Sequence, residues 1–234
     1  QGVIGIKAVH LTTAAERRTM PKTKDLYIDI GATSKAAAEK LVSLGDYGVF
    51  DSAATEFGDG LIKAKAIDDR VGCAALLKLL EDEPPIDTWF CFTVQEEVGL
   101  RGAGAAAFAV EPDVAIAVDV THGRTPDGPS DGVFDLGSGA AVGMGPNLHR
   151  GLTKAIIRTA KANDIDYTLE IMEGDTGTNA WTMQIVGRGI ACALLSIPQK
   201  YMHTPVEVIS LSDVEAVADL MAAFLREFDG EVSA

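Results

Sequence analysis

Acidic side chains and one imidazole occur where several apolar runs of the chain end. Asp68 and Asp69 follow the run KAKAI, Glu96 and Glu97 follow TWFCFTVQ, and Asp119 follows VAIAV. A single histidine, His203, follows the run ALLSI after a short loop that contains proline. In an open α/β sheet, ligands bind in the crevice at the carboxyl ends of the strands. We therefore expect these six side chains to meet at one rim.

Carboxylates that are brought together at a half-buried rim repel one another and raise one another's pKa. A cation between them removes the repulsion, and oxygen and imidazole donors without thiolate suit zinc, cobalt or manganese at a catalytic centre. Each motif also has a simpler interpretation. An Asp pair before a helix is often an N-cap, a Glu pair after a strand is usually solvated, and a loop histidine usually lies at the surface. Their combination in this order favours a metal site.

The elements that position these residues alternate between helix and strand from Ala66 onward. Helices are predicted over 71–81, 102–110, 148–163 and 212–228, and strands over 88–94, 113–120, 167–172 and 189–197. Nearly continuous apolar strands are typical of a sheet that helices cover on both faces. We therefore predict an α/β fold with a mixed, mostly parallel sheet flanked by helices, in a catalytic domain over 62–234.

Three local patterns lead to more specific predictions. Residues 1–61 alternate short β-like runs with turns, which predicts a small β-rich module with one helix from Ser34 to Leu44. The Gly-rich stretch 123–146 predicts a loop and an edge strand. The last helix is predicted to open with a capping box formed by Ser212 and Glu215.

Composition excludes several classes of partner. The chain has 34 acidic and 20 basic residues, a formal charge of −14, so nucleic acid and anionic membranes are disfavoured. It has no apolar run of the roughly 18 residues that span a bilayer, and we expect a soluble protein. Cys73, Cys91 and Cys192 lie in apolar stretches and are expected to be buried thiols, which favours the reducing cytoplasm.

Four strings carry a more specific signal. AIDDRVG, VQEEVGLRGA, AVDVTH and SIPQKYMHTPVE resemble, in order, the metal-site segments of the M42 metallo-aminopeptidases, a family that includes glutamyl aminopeptidase and TET-like peptidases. The resemblance implies a zinc-exopeptidase-like fold and hydrolytic release of N-terminal residues from peptides. It also implies that the first 61 residues are the family's dimerisation insert, through which dimers assemble into a larger homo-oligomer.

The resemblance also implies roles for the six residues, at a centre that holds two divalent metal ions, zinc or cobalt. Asp68 matches the aspartate that bridges the two metals, and Asp69 matches the catalytic-site residue that follows a cis peptide. Glu97 and His203 match the other ligands of one metal, and Asp119 matches a ligand of the second. Glu96 matches the general base.

One motif of the family has no match in this chain. Family members carry a further ligand, the histidine of a His-x-Asp motif ahead of the β-rich module, and this chain starts at Gln1 after that point. We interpret the chain as a fragment, with a natural short relative as the alternative. On this interpretation the second metal, held by Asp68 and Asp119 alone, binds weakly, the chain alone is poorly active, and apolar faces are exposed.

Two other functions are compatible with parts of the pattern. A non-catalytic assembly subunit of an oligomeric peptidase would use only the β-rich module. A glycoside hydrolase such as an endoglucanase also uses paired carboxylates. Only 6% of the residues are aromatic, and Trp89 and Trp181 are predicted to be buried, which leaves no platform for sugars.

Overall fold

The computed structural model describes residues 1–81 and 83–230. The chain divides into two compact units, Gln1–Val49 and a second unit that starts at Phe50. The boundary predicted at Leu61 lies later in the chain, because residues 55–64 form two strands of the second unit's sheet.

The first unit contains one antiparallel strand pair, one short α-helix and three single-turn 3₁₀ helices, Val9–Leu11, Glu16–Arg18 and Thr23–Asp25. Strands β1 (Val3–Gly5) and β2 (Tyr27–Asp29) pair with Ile4 opposite Ile28, and helix α1 spans Lys35–Ala38. The Ser34 hydroxyl accepts a hydrogen bond from the Ala37 amide at 3.2 Å, so the predicted N-cap is confirmed. The predicted extension of the helix to Leu44 is wrong. Asp46 accepts the Ser43 amide at 2.8 Å and so favours a turn there instead of a further helical turn.

The second unit contains one mixed sheet, which within the described residues has seven strands. These are β3 (Thr55–Phe57), β4 (Leu61–Ala64), β5 (Val114–His122), β6 (Ala140–Met144), β7 (Tyr167–Ile171), β8 (Ala191–Lys200) and β9 (Glu207–Ser210). The strand order is β3-β4-β9-β8-β6-β7, and β5 pairs with β8.

Strand β8 organises the sheet. One edge of β8 pairs with β5 in parallel over nine residue pairs, and the other edge pairs first with β6 and then, at Gln199 and Lys200, with β9. Strands β6 and β7 are also parallel, whereas the other neighbours are antiparallel. The predicted mixed sheet is confirmed. Its antiparallel share is larger than expected, because β3, β4 and β9 extend it on one side.

Helices cover both faces of this sheet. They are α2 (Arg70–Leu79), α3 (Arg101–Val110), α4 (Arg150–Ala162), α5 (Asn179–Met183) and α6 (Leu211–Glu227). Leu195 and Ile197 of β8 belong to the main core with residues of α2, α4 and α6, while Leu194 packs with Ala180 of α5 in a second cluster. The alternating residues of β8 are buried on both faces, which explains its nearly continuous apolar sequence. Among the described helices, none combines the length and apolarity needed to cross a lipid bilayer.

Some local predictions are wrong. Residues 88–94 form no strand, because their backbone takes part in no strand pairing with any described segment, and the Trp89 side chain is 73% exposed. Trp181 is 38% exposed, so neither tryptophan is buried as predicted. Cys91, which is also expected to be buried, is exposed.

Two further differences concern the ends and edges of elements. The strand predicted at an edge, β6, lies between β7 and β8, and its small residues Ala140, Ala141 and Val142 are fully buried. Helix α6 starts after Ser210, and the Ser212 hydroxyl lies 2.8 Å from the Ser210 hydroxyl. The predicted capping box is therefore not formed, since Ser212 already lies inside the helix.

Candidate active site

The aspartate pair lies between strand β4 and helix α2. The peptide bond between Asp68 and Asp69 is cis, as the family resemblance implies. Asp69 is the N-cap of α2 and accepts a hydrogen bond from the Gly72 amide at 3.0 Å. A Cβ at Gly72 would overlap the Asp69 carboxylate, so glycine is required for this close approach. The simpler interpretation of Asp69, a helix cap, is therefore also correct.

The glutamate pair lies in a turn before helix α3. Gln95 has a positive φ of 62°, and the Glu96 carbonyl accepts the amides of Gly99 and Leu100. The turn lies against the segment before it, because the Gly102 amide donates to the Val94 carbonyl at 2.9 Å and a Cβ at Gly102 would overlap that oxygen. The two glutamates are thus held by a turn and not by an extended strand.

His203 brings the two loops together. It lies in the turn between β8 and β9 with a φ of 61°. Its Nε2 atom is 3.0 Å from Asp68 Oδ2 and 3.5 Å from Glu97 Oε2. One donor atom from each of the three residues lies within 4.8 Å of the others. Three residues that are distant in sequence thus form one compact set of ligand atoms.

The other three predicted residues lie around this cluster but are not part of it. Asp119 is buried within β5, and its Oδ1 atom accepts the Val120 amide at 2.8 Å. Asp69, Glu96 and Asp119 line the same cavity as Asp68 and Glu97, which has a volume of about 580 Å³. Five of the six predicted side chains therefore line one crevice, and the sixth, His203, lies against two of them, Asp68 and Glu97.

The crevice raises the pKa of its carboxyl groups. Burial, together with the charge of Glu97, raises the pKa of Asp68 to about 6. Burial and the neighbouring charge of Asp119 raise the pKa of Asp69 to about 9, and burial raises that of Asp119 to about 8. Burial also raises the pKa of Glu96 above its ordinary value, with the charges of Glu97 and Asp68 adding to the effect. Burial and neighbouring acidic groups thus favour the protonated, uncharged form of these carboxyls when no cation is bound.

The cluster fits a divalent metal ion. It offers two carboxylate oxygens and one imidazole nitrogen at mutual distances that a single ion can span, and it contains no thiolate. This donor set suits zinc, cobalt or manganese, and three protein ligands leave a position open as in catalytic sites. A cation would also favour the ionised form of these carboxyls and so lower their pKa.

One residue of the site was not singled out from the sequence. Glu207 is 2% exposed, and its carboxylate accepts backbone amides from both the Asp68 loop and the His203 loop. In the sequence Glu207 ends the string SIPQKYMHTPVE and directly precedes the apolar residues Val208 and Ile209. A charged residue at the start of a buried strand requires hydrogen-bonding partners, and the sequence does not show where they are.

Comparison with known proteins decides the family. The model of the family described as M42 glutamyl aminopeptidase matches residues 1–220. The chain belongs to this M42 family. A putative aminopeptidase of Acetivibrio thermocellus is 39% identical over 227 residues, which are 94% of this chain and 67% of that protein. The chain thus spans about two thirds of the length of the curated relatives that it matches.

Solved structures of the family share the fold. Aminopeptidase APDkam598 from the archaeon Desulfurococcus kamchatkensis is 37% identical with a TM-score of 0.87, over 97% of this chain and 65% of that chain. A Pyrococcus horikoshii TET1 peptidase is 32% identical with a TM-score of 0.82, over 97% of this chain and 68% of that one. That peptidase is described as assembling into a tetrahedron or a large octahedral shell.

Proposed function

We propose that this M42 chain carries the catalytic residues of a metal-dependent aminopeptidase, an enzyme that hydrolyses peptides at the free amino terminus. The observation that supports this proposal most directly is the cluster of Asp68, Glu97 and His203 in an acidic crevice. The M42 relatives are named aminopeptidases.

Four residues of the proposed site are metal ligands. Asp68, Glu97 and His203 would hold one metal ion, and Asp68 with Asp119 would hold a second one weakly. When bound, the metal ions polarise the scissile carbonyl and increase the acidity of water. Zinc and cobalt are the metals that we propose.

Glu96 is the proposed general base. It lies next to a proposed ligand and lines the cavity, but it does not belong to the cluster, so its carboxylate is free to move protons. Its pKa is raised by burial and by its acidic neighbours, which makes it a better proton acceptor. Glu96 takes the proton from the water that attacks the peptide carbonyl and then returns it to the leaving amine.

The substrate's free amino group is cationic, and the crevice is acidic. The ionised carboxylates around the cluster attract an ammonium group, whereas they repel an internal acidic segment of a peptide. This charge distribution agrees with cleavage at the amino terminus.

We also propose that the first unit mediates homo-oligomerisation, in which dimers assemble into a larger particle. In the described unit Gln1–Val49, no side chain is buried. Its large apolar residues are exposed, including Val9, Leu11, Leu44 and Tyr47. A solvent-exposed apolar surface of this kind is typical of a protein–protein interface. The prediction of a cytoplasmic location stays a prediction.

The test is release of amino acids from aminoacyl-anilides and short peptides, with zinc or cobalt added. We expect hydrolysis by the protein and by its Glu56→Gln variant, whose substituted residue is exposed in β3. In Glu96→Gln, kcat is expected to fall roughly 100- to 10,000-fold, since general base catalysis contributes that much.

Equal rates for Glu96→Gln and Glu56→Gln would contradict the role of Glu96. Absence of metal-dependent hydrolysis from all three proteins would contradict the catalytic proposal for this chain and favour the assembly role. Sedimentation velocity tests that role separately, since a strictly monomeric protein would contradict it.

A further inference from the structure

Glu207 is a buried carboxylate between the two loops that carry Asp68 and His203. Its Oε2 atom accepts hydrogen bonds from the Ile67 amide at 2.6 Å and from the Asp68 amide at 3.3 Å. Its Oε1 atom accepts the His203 amide at 2.8 Å. One side chain thus links the backbones of two ligand residues that lie more than a hundred positions apart in the sequence.

The sheet places Glu207 where these loops begin and end. Glu207 is the first residue of β9 and lies opposite Ala64, the last residue of β4. The chain leaves β4 toward Asp68, and it enters β9 from the turn that contains His203. The carboxylate therefore lies at the point where both loops join the rigid sheet.

The backbone of both loops needs such support. Ala66, Tyr201 and His203 have positive φ values of 52°, 58° and 61°. L-residues other than glycine rarely adopt this conformation, and surrounding contacts are needed to hold them in it. The hydrogen bonds to Glu207 constrain Ile67 and Asp68, directly after Ala66, and constrain His203 itself.

The negative charge of Glu207 is more favourable beside a bound cation than beside an empty crevice. A buried carboxylate is costly unless hydrogen bonds compensate it, and Glu207 receives three from backbone amides. It adds one more negative charge beside Asp68, which is unfavourable when the crevice holds no cation. When Asp68 and His203 hold a cation, the negative charge of Glu207 lies near a positive charge, and its electrostatic contribution becomes favourable. A carboxylate at this position thus suits a metal site better than it suits a purely structural junction.

We propose that Glu207 is a positioning residue, which holds the backbones of Asp68 and His203 so that their side chains converge on one metal ion. This inference rests on the proposed function of the cluster as a metal site. Partners behind metal ligands fix the orientation of those ligands, and their loss typically weakens metal binding roughly 10- to 100-fold.

The test compares Glu207→Gln with a matched control, Asp213→Asn. Asp213 is also fully buried, and it accepts two backbone amides, those of Gly137 and Gly139 at 2.7 and 2.8 Å, but it lies outside the site. In each variant an amide nitrogen replaces one acceptor oxygen, so both variants should lose stability. Calorimetric titration with cobalt measures metal affinity, and amide hydrogen exchange measures the protection of Ile67, Asp68 and His203.

We expect Glu207→Gln to weaken cobalt binding roughly 10- to 100-fold and to speed exchange at these three amides. Asp213→Asn should leave both properties unchanged. Unchanged cobalt affinity in Glu207→Gln, or an equal loss in both variants, would overturn the positioning role. If Glu207→Gln does not fold, Glu207→Asp keeps the charge but shortens the side chain, and the same comparison applies.

Amide exchange separates this inference from the proposed function. If the unmodified protein binds no cobalt, the metal-site proposal fails. Loss of protection at Ile67, Asp68 and His203 in Glu207→Gln alone would still support the role of Glu207 in holding the two loops. Unchanged exchange would overturn that role whatever the metal does.

Discussion

Asp68 and Glu97 approach the same imidazole, but the protein holds them differently. The Asp68 side chain is 8% exposed, and its backbone amide is bound by the buried Glu207. The Glu97 side chain is 56% exposed, and its turn is closed by local hydrogen bonds between Gln95 and Arg101. The segment before this turn, residues 88–94, has no strand partner among the described residues. One side of the crevice is anchored to the sheet, and the other is a local turn on an irregular segment.

This difference indicates which ligands are preorganised. A group held by buried, long-range hydrogen bonds loses little conformational entropy when it binds, whereas an exposed side chain on a loop must be ordered at that moment. The anchored side therefore determines where the metal lies. The exposed side determines how readily the site closes around it.

The largest effect is expected from removing a ligand on the anchored side. Asp68→Ala should weaken cobalt binding by more than the roughly 10- to 100-fold that is typical for outer partners of a metal site, because it removes a direct ligand. Glu97→Ala should weaken binding less, since the ordering cost of this exposed side chain already reduces its contribution. Calorimetric titration of both variants measures the difference. Equal losses would remove the distinction between the two sides.

A smaller effect is expected from displacing the exposed side alone. In Gly102→Ala the added methyl group would collide with the Val94 carbonyl, so the turn that carries Glu96 and Glu97 must shift. Overpacking of this kind costs about 1 to 3 kcal/mol of the free energy of unfolding. Chemical denaturation measures this loss, and hydrolysis of an aminoacyl-anilide should fall with it.

Amide exchange shows whether that displacement is confined to one side. In Gly102→Ala the amides of Ile67 and His203 should keep their protection, because Glu207 holds them independently of the turn. Faster exchange at these amides would show that the two sides of the crevice are coupled.

Stability is also expected to depend on pH, because a buried and crowded carboxyl is less costly to the folded state when it takes up a proton. The pKa values of Asp68, Asp119 and Asp69 are raised to about 6, about 8 and about 9. The ordinary value in an unfolded chain is about 4, so between about pH 4 and these values the folded state binds more protons than the unfolded state. Stability of the metal-free protein should therefore fall as pH rises through this window.

Thermal unfolding in a chelator, compared at about pH 5.5 and about pH 8, measures this dependence. The Tm should be lower at the higher pH, and added cobalt should raise it there. Asp119→Asn should flatten the dependence, because it removes one of the raised carboxyls. A Tm that rises with pH in the chelator would contradict the raised pKa values of these carboxyls.

Much of the second unit could be predicted from local pattern. The apolar runs that became β5, β7 and β8 and the amphipathic segments that became α2, α3 and α4 carry their periodicity in neighbouring residues. Residues 88–94 show the limit of this reasoning. They have a strand-like composition, but a strand also needs a partner for its backbone, and composition does not show whether a partner is present.

Capping and edges show the same limit on a smaller scale. Ser210 and Ser212 are both plausible helix starts by type, and only the pairing of β9 with β4 sets the position at which the strand ends and α6 begins. Strand β6 is predicted at an edge from its Gly- and Ala-rich surroundings, yet it lies between β7 and β8 and its small residues are fully buried.

The sequence by itself determined the types and order of the six chemically active residues and the α/β character of the unit that carries them, because residue type and periodicity are local properties. Only the tertiary structure decided that Asp68, Glu97 and His203 meet, while Asp69, Glu96 and Asp119 line the same crevice outside the cluster. It also decided that Glu207 binds the backbones of two distant loops. Such contacts depend on strand order and on burial, which are set by residues far apart in the chain.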